Sequence, residues 1–244
     1  IMEDLFGERR MRMEAVLGYQ DLLEDLERHA GPDTRLAVEL GGRDPDDVFS
    51  DVAYEKGRLF LAWLEHCFGR DRFDPWLRAY FDRHAFQTMT TEKFLADLDA
   101  NLLQKHPGVL SMDQVKAWVY GENLPEDHPV PQSDAFTTID SLRSAWLAGE
   151  KPAADLPVKD WTTHEWLYFL NNLPQDLGSE RMKTLDQAFH LTDSGNNEIA
   201  HSWLKLAIVN NYTAADARLE QYLIGIGRRK LIQPLYEALM KTPE

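Results

Sequence analysis

The sequence predicts an all-α protein, and three observations carry that reading. Apolar residues return at intervals of three and four along most of the chain. The capping pattern Ser/Thr-x-x-Glu/Gln occurs directly before two such stretches. No stretch alternates apolar and polar residues with comparable strength.

From Met2 to His29 the positions Leu5, Phe6, Met11, Met13, Val16, Leu17, Leu22, Leu23 and Leu26 trace one stripe. The spacing predicts a helix with a break near Gly18 and an end at Gly31-Pro32. Residues 35–47 are rich in Gly, Asp and Pro and read as a turn-rich excursion. A second helix is expected from Val48 or Val52 to Phe68, with Leu59, Ala62, Trp63 and Cys67 on one stripe and Gly69 as its stop. Residues 71–83 form another, carrying Phe73, Trp76, Leu77, Tyr80 and Phe81. Thr90 or Thr91 caps the next, which holds Phe94, Leu95, Leu98 and Leu102 and ends before His106-Pro107-Gly108. Ser111-Met112-Asp113-Gln114 is a capping box for a short helix reaching Tyr120.

The stretch "GENLPEDHPVPQSD", residues 121–134, has three prolines and four acids and no periodicity, so it marks the domain boundary. The cut near Gln132 gives domains 1–131 and 132–244. Helices are expected after it at 134–148, 163–172, 178–191, 194–210, 214–225 and 229–241, with a second capping box at Thr162-Thr163-His164-Glu165. Successive amphipathic helices joined by short turns, without a strict repeat, predict helix pairs stacked as an α-solenoid.

Composition narrows the partners. With 41 acids against 26 bases the formal charge is -15, which argues against nucleic acid or an anionic membrane, since both select a basic face. Cys67 is the sole cysteine, so no internal disulfide is expected and a reducing, cytoplasmic setting fits. The longest apolar runs, Leu59 to Leu64 and Leu206 to Val209, fall far short of the ~20 residues that cross a bilayer. The chain opens at Ile1 directly into an amphipathic pattern, which reads as the start of a fragment of a longer protein.

Several constellations of chemical interest have plainer explanations. "HEWLY", 164–168, nearly spells the HExxH zinc motif, but Tyr168 stands where the second imidazole belongs, and His164-Glu165 reads as first-turn capping. The histidines 29, 66, 84, 106, 128, 164, 190 and 201 include no pair one helical turn apart, so no metal site is expected. Cys67 sits at helical spacing from Phe60, Trp63 and Leu64 and reads as a buried, inert thiol. Gly225-Ile226-Gly227 lacks the rest of a phosphate-loop fingerprint. Arg228, Arg229 and Lys230 gather three cations in an acidic chain, as a carboxylate-binding fork or as a basic helix end that neutralises nearby acids. A tyrosine such as Tyr54 before a helix is ordinarily a packing residue.

In order along the chain, "DPDDVFSDVAYEKG" (44–57), "MTTEKFLADL" (89–98), "NNEIAHSWLKLAI" (196–208) and "GRRKLIQPLYEAL" (227–239) resemble the zinc aminopeptidases of the gluzincin class, most closely the leukotriene A(4) hydrolase subgroup. The resemblance covers essentially the whole chain. It implies the helical lobe of a thermolysin-like catalytic domain followed by an armadillo/HEAT-like α-solenoid domain, truncated at its end. It implies removal of N-terminal residues from short peptides.

By that resemblance Tyr54 is the tyrosine whose hydroxyl stabilises the oxyanion formed at the scissile carbonyl, and Arg228 with Lys230 holds a substrate's free carboxylate. Phe49 stands where the subgroup has a second active-site tyrosine. Asp46 matches the aspartate that places water in epoxide opening, with Asp44 and Asp47 as neighbouring alternatives. Peptidase activity is therefore expected, without physiological epoxide hydrolysis. The zinc motif, its third ligand and the segment that binds the substrate amine are expected upstream, in the missing N-terminal half. Zinc is thus a cofactor of the full-length enzyme, and this chain alone is expected to bind none and to be inactive. The rival readings are a non-enzymatic helical-repeat binding module and an inactive family member.

Overall fold

The computed structural model describes residues 2–48 and 50–242, and the described residues form α-helices, short 3-10 and π-helical turns, and no strand. The all-α expectation is met. The chain divides into two compact units: Gly18–Pro131, and Gln132 onward together with the residues up to Leu17.

Helix α1 (Met2–Phe6) and helix α2 (Glu8–Arg28) are separated at Gly7, whose φ of +85° belongs to glycine. The break expected near Gly18 is therefore misplaced, and Gly18 lies inside α2. Its lack of a side chain serves a close approach, because a Cβ there would run into the carboxylate of Glu55. The first turns of α2 pack with the C-terminal unit for two reasons. Met13 enters that unit's core, and Arg9 donates to Glu165 at 2.7 Å.

In the unit 18–131, a π-helical turn at Val52–Lys56 leads into α3 (Gly57–Phe68), followed by α4 (Arg70–Arg83), α5 (Thr91–Leu98) and α6 (Met112–Tyr120). Gly69, with φ +72°, reverses the chain between α3 and α4 in one residue. Thr90 caps α5, and Ser111 with Gln114 closes the expected capping box on α6. The core is aromatic: Trp63 of α3 and Trp118 of α6 have ring centroids 5.5 Å apart, with Phe60 beside both. Buried Asp97 is satisfied by Trp76 Nε1 at 3.2 Å, by Arg83 at 2.7 and 2.9 Å and by His84 at 3.0 Å. Phe81 of α4 is exposed. Cys67 is half-buried rather than buried, and desolvation together with Asp127 raises its pKa.

The other unit contains α7 (Asp134–Leu147), α8 (Thr163–Asn171), α9 (Ser179–Phe189), α10 (Asn197–Val209), α11 (Asp216–Gly225) and α12 (Arg229–Lys241). Helix α10 packs on α8 to one side and on α12 to the other. Their first turns meet: Asn196 Nδ2 donates to Thr163 Oγ1 at 2.9 Å, and Arg228 Nη1 to Glu198 Oε1 at 3.1 Å. One turn further on, His201 Nδ1 lies 2.8 Å from the Leu231 carbonyl oxygen, which keeps α10 and α12 in parallel register. Every second helix thus stacks into one layer, and α9 and α11 carry the chain back, which is the arrangement of an α-solenoid.

Candidate active-site and carboxylate-binding residues

Tyr54 sits within the π-helical turn Val52–Lys56, and its side chain is 61% exposed. The turn itself is bolted down on several sides. The Asp51 N–H donates to the Asp25 carboxylate at 2.7 Å, and Val52 is buried in the core. Glu55 lies over Gly18 and accepts from Arg58 Nε at 2.8 Å. Lys56 is fully buried, its ammonium donating at 2.9 Å to the carbonyl oxygens of both Thr34 and Gly121. Burial and then the nearby Arg35 guanidinium depress its pKa to about 8. Tyr54 is thus an exposed phenol on a braced π-helical turn, an irregularity of a kind frequent at functional sites.

Lys56 is the residue that sequence reasoning missed. A lysine one place before a helix reads as a solvated charge, and no local pattern marks the two carbonyls that receive it, because they come from residues far away in the chain.

Asp46 lies in the short 3-10 turn Pro45–Asp47 and is exposed. Its N–H donates to Asp44 Oδ1 at 3.0 Å, so Asp44 is occupied as the cap of that turn. Phe49 lies outside the described residues.

The three cations open α12, with Arg228 at the N-cap and Arg229 and Lys230 in the first turn. This is the end at which the helix dipole disfavours positive charge. The neighbouring layers follow the usual rule, with Glu165 in the first turn of α8 and Glu198 in that of α10. Helix α12 inverts it. Arg228 is exposed and reaches Glu198 through Nη1, while Arg229 Nε donates to Gln233 at 2.8 Å. Positive side chains and a positive helix end together suit a carboxylate.

The near-miss zinc motif is capping chemistry. Glu165 accepts from the Thr162 N–H at 2.7 Å, from its hydroxyl at 2.8 Å and from Arg9. Burial pulls its pKa upward, but the Thr162 donors and Arg9 outweigh that and hold it below the usual range. His164 Nε2 pairs with Glu14 at 3.2 Å, and the Tyr168 hydroxyl donates to Asp140 at 3.1 Å. Among the described residues no three His, Cys, Asp or Glu side chains converge as a metal site. The described residues therefore do not form a zinc site.

Residues 1–118 match the family described as the peptidase family M1 domain, and residues 161–244 match that described as leukotriene A4 hydrolase, C-terminal. Leucine aminopeptidase 2 of Ajellomyces capsulatus is 30% identical, over 99% of this chain and 40% of the relative. The protein of the same name from Emericella nidulans is 29% identical, over 99% and 41%. The structure of native leukotriene A4 hydrolase from Saccharomyces cerevisiae superposes with a TM-score of 0.77 at 25% identity, over 98% of this chain and 42% of that one. A structure of yeast LTA4 hydrolase in complex with bestatin gives a TM-score of 0.85 at 24% identity. The chain spans about 40% of the length of these relatives. Matched in order by an M1 peptidase domain and by the leukotriene A4 hydrolase C-terminal domain, and sharing the all-helical fold, the chain belongs to the leukotriene A4 hydrolase-like branch of the M1 peptidases.

Proposed function

We propose that the protein carrying this chain is an aminopeptidase that removes N-terminal residues from short peptides, with zinc as a cofactor held by none of the residues described. In this reading residues 1–131 belong to the catalytic domain and residues 132–244 to the helical C-terminal domain, and the protein works in the cytoplasm. Tyr54 donates its hydroxyl proton in a hydrogen bond to the scissile carbonyl oxygen as that oxygen gains negative charge. A donor fixed in advance stabilises the transition state more than the ground state, because the bond shortens and strengthens only as charge develops. Arg228, with Lys230 as a supporting point charge, takes the free carboxylate of the peptide. In this reading Asp46 and Phe49 are also substrate-binding residues, and phenylalanine at position 49 has no hydroxyl to offer.

The observation that carries the reading is the anchored turn under Tyr54. Lys56, Asp25 and the Glu55 approach to Gly18 hold a segment on which Tyr54 stays exposed. A merely structural tyrosine has no need of so exposed a ring on so constrained a backbone. The test is Tyr54→Phe in the full-length enzyme. Loss of one oxyanion donor lowers kcat on amino-acid amides by about 10²- to 10³-fold with little change in KM. An unchanged kcat refutes the assignment.

A further inference from the structure

We infer that Glu198 is a specificity-determining residue, an internal carboxylate that stands on Arg228 in place of the substrate's own and is displaced when a peptide with a free C-terminus binds. This rests on the carboxylate-binding reading of Arg228.

The geometry has four parts. Glu198 Oε1 lies 3.1 Å from Arg228 Nη1, within the space a ligand carboxylate on that guanidinium would use. The contact engages one arm of the guanidinium, whereas an arriving carboxylate can take two parallel N–H donors and so competes with an advantage in both geometry and energy. Both side chains of the pair are well exposed, at 63% for Arg228 and 42% for Glu198, so water screens the attraction and opening it costs little. Glu198 also lies in the first turn of α10, where the helix dipole stabilises an anion, and its carboxylate keeps a favourable position after release.

The pair is also dispensable to the packing of the two helices. His201 Nδ1 lies 2.8 Å from the Leu231 carbonyl oxygen, and Leu231 and Leu235 of α12 are buried in one core with Ala200, Leu204 and Ile208 of α10. Those contacts keep α10 and α12 in register when Glu198 swings away. An ion pair that contributes little to the fold, placed on the guanidinium assigned to the substrate, works as a competitor. It sets a threshold that a weak or neutral chain end does not pass.

The experiment compares Glu198→Gln, Arg228→Ala and the double variant in the full-length enzyme, on a tripeptide with a free C-terminus and on its C-terminal amide. Glu198→Gln lowers KM for the free acid about two- to five-fold, the range set by an exposed ion pair, and leaves the amide and kcat unchanged. In the Arg228→Ala background the same substitution changes neither substrate. If Glu198→Gln leaves or raises KM for the free acid while Arg228→Ala still weakens that substrate selectively, the competitor role is overturned and the Arg228 assignment survives. If Arg228→Ala affects both substrates equally, the carboxylate-binding reading itself fails and the role of Glu198 falls with it.

Discussion

The ammonium of Lys56 donates to the carbonyl oxygen of Thr34 at 2.9 Å from a position with no solvent exposure. The same nitrogen reaches the Gly121 carbonyl at 2.9 Å, so one side chain ties the Tyr54 turn to two distant loops. Its pKa is depressed to about 8, so between there and its ordinary value near ~10.4 the unfolded chain holds more protons than the folded one. Stability from this group therefore rises with pH across that window, by at most ~1.4 kcal/mol per pH unit. In Lys56→Met the two carbonyls lose their donor, at about 1–3 kcal/mol, and the pH term disappears. The Tm gap between wild type and Lys56→Met should widen from pH 8 to pH 10, and a constant gap contradicts this account.

Gly18 and Glu55 are coupled. Gly→Ala inside a helix ordinarily stabilises by about 1 kcal/mol, but here the new methyl group displaces the Glu55 carboxylate from its seat beside Arg58. Gly18→Ala alone should leave Tm nearly unchanged or lower it. In the Glu55→Ala background the same substitution should raise Tm, and the double-mutant cycle of thermal melts measures the difference.

Arg228→Ala in the full-length enzyme should raise KM for a tripeptide with a free carboxylate about 10- to 100-fold and leave the amide nearly unaffected. Arg228→Lys keeps the charge and loses the two-pronged geometry, so it should fall between the two. Steady-state kinetics on the paired substrates decides this, and a lysine variant as good as wild type would show that charge alone suffices.

Glu165→Ala should destabilise by about 0.5–2 kcal/mol, because α8 loses its reciprocal cap and Arg9 loses its partner. The carboxyl is more acidic folded than unfolded, so its contribution is complete above ~4.3 and is lost as pH falls below that value. Melting curves should show wild type and variant converging in acid. Zinc affinity should be the same for both, and a loss of zinc with this variant would restore the metal reading of "HEWLY".

Much of the fold was legible because caps and periodicity are local. Thr162 with Glu165, and Ser111 with Gln114, announce their helices within four residues, and the structure has both boxes. Gly18 was misread because glycine looks like a breaker until the Glu55 carboxylate that uses its empty face is known. Lys56 was invisible for the same reason, since its acceptors lie 22 and 65 residues away. Tyr54 and Arg228 are harder still. Each is unremarkable by spacing and enters through the resemblance alone, and only the structure adds the braced backbone under one and the helix end of the wrong sign under the other.

The parallel stacking of α8, α10 and α12 carries a parity rule. Because alternate helices share one polarity, inserting or deleting a pair of helices would keep every later layer facing the same way. A single added helix before α12 would instead turn its carbonyl end to the edge that now gathers amide ends. The cations of α12 would then sit at the opposite edge of the layer. Such a stack keeps the cations of α12 at the same edge only when it is lengthened two helices at a time.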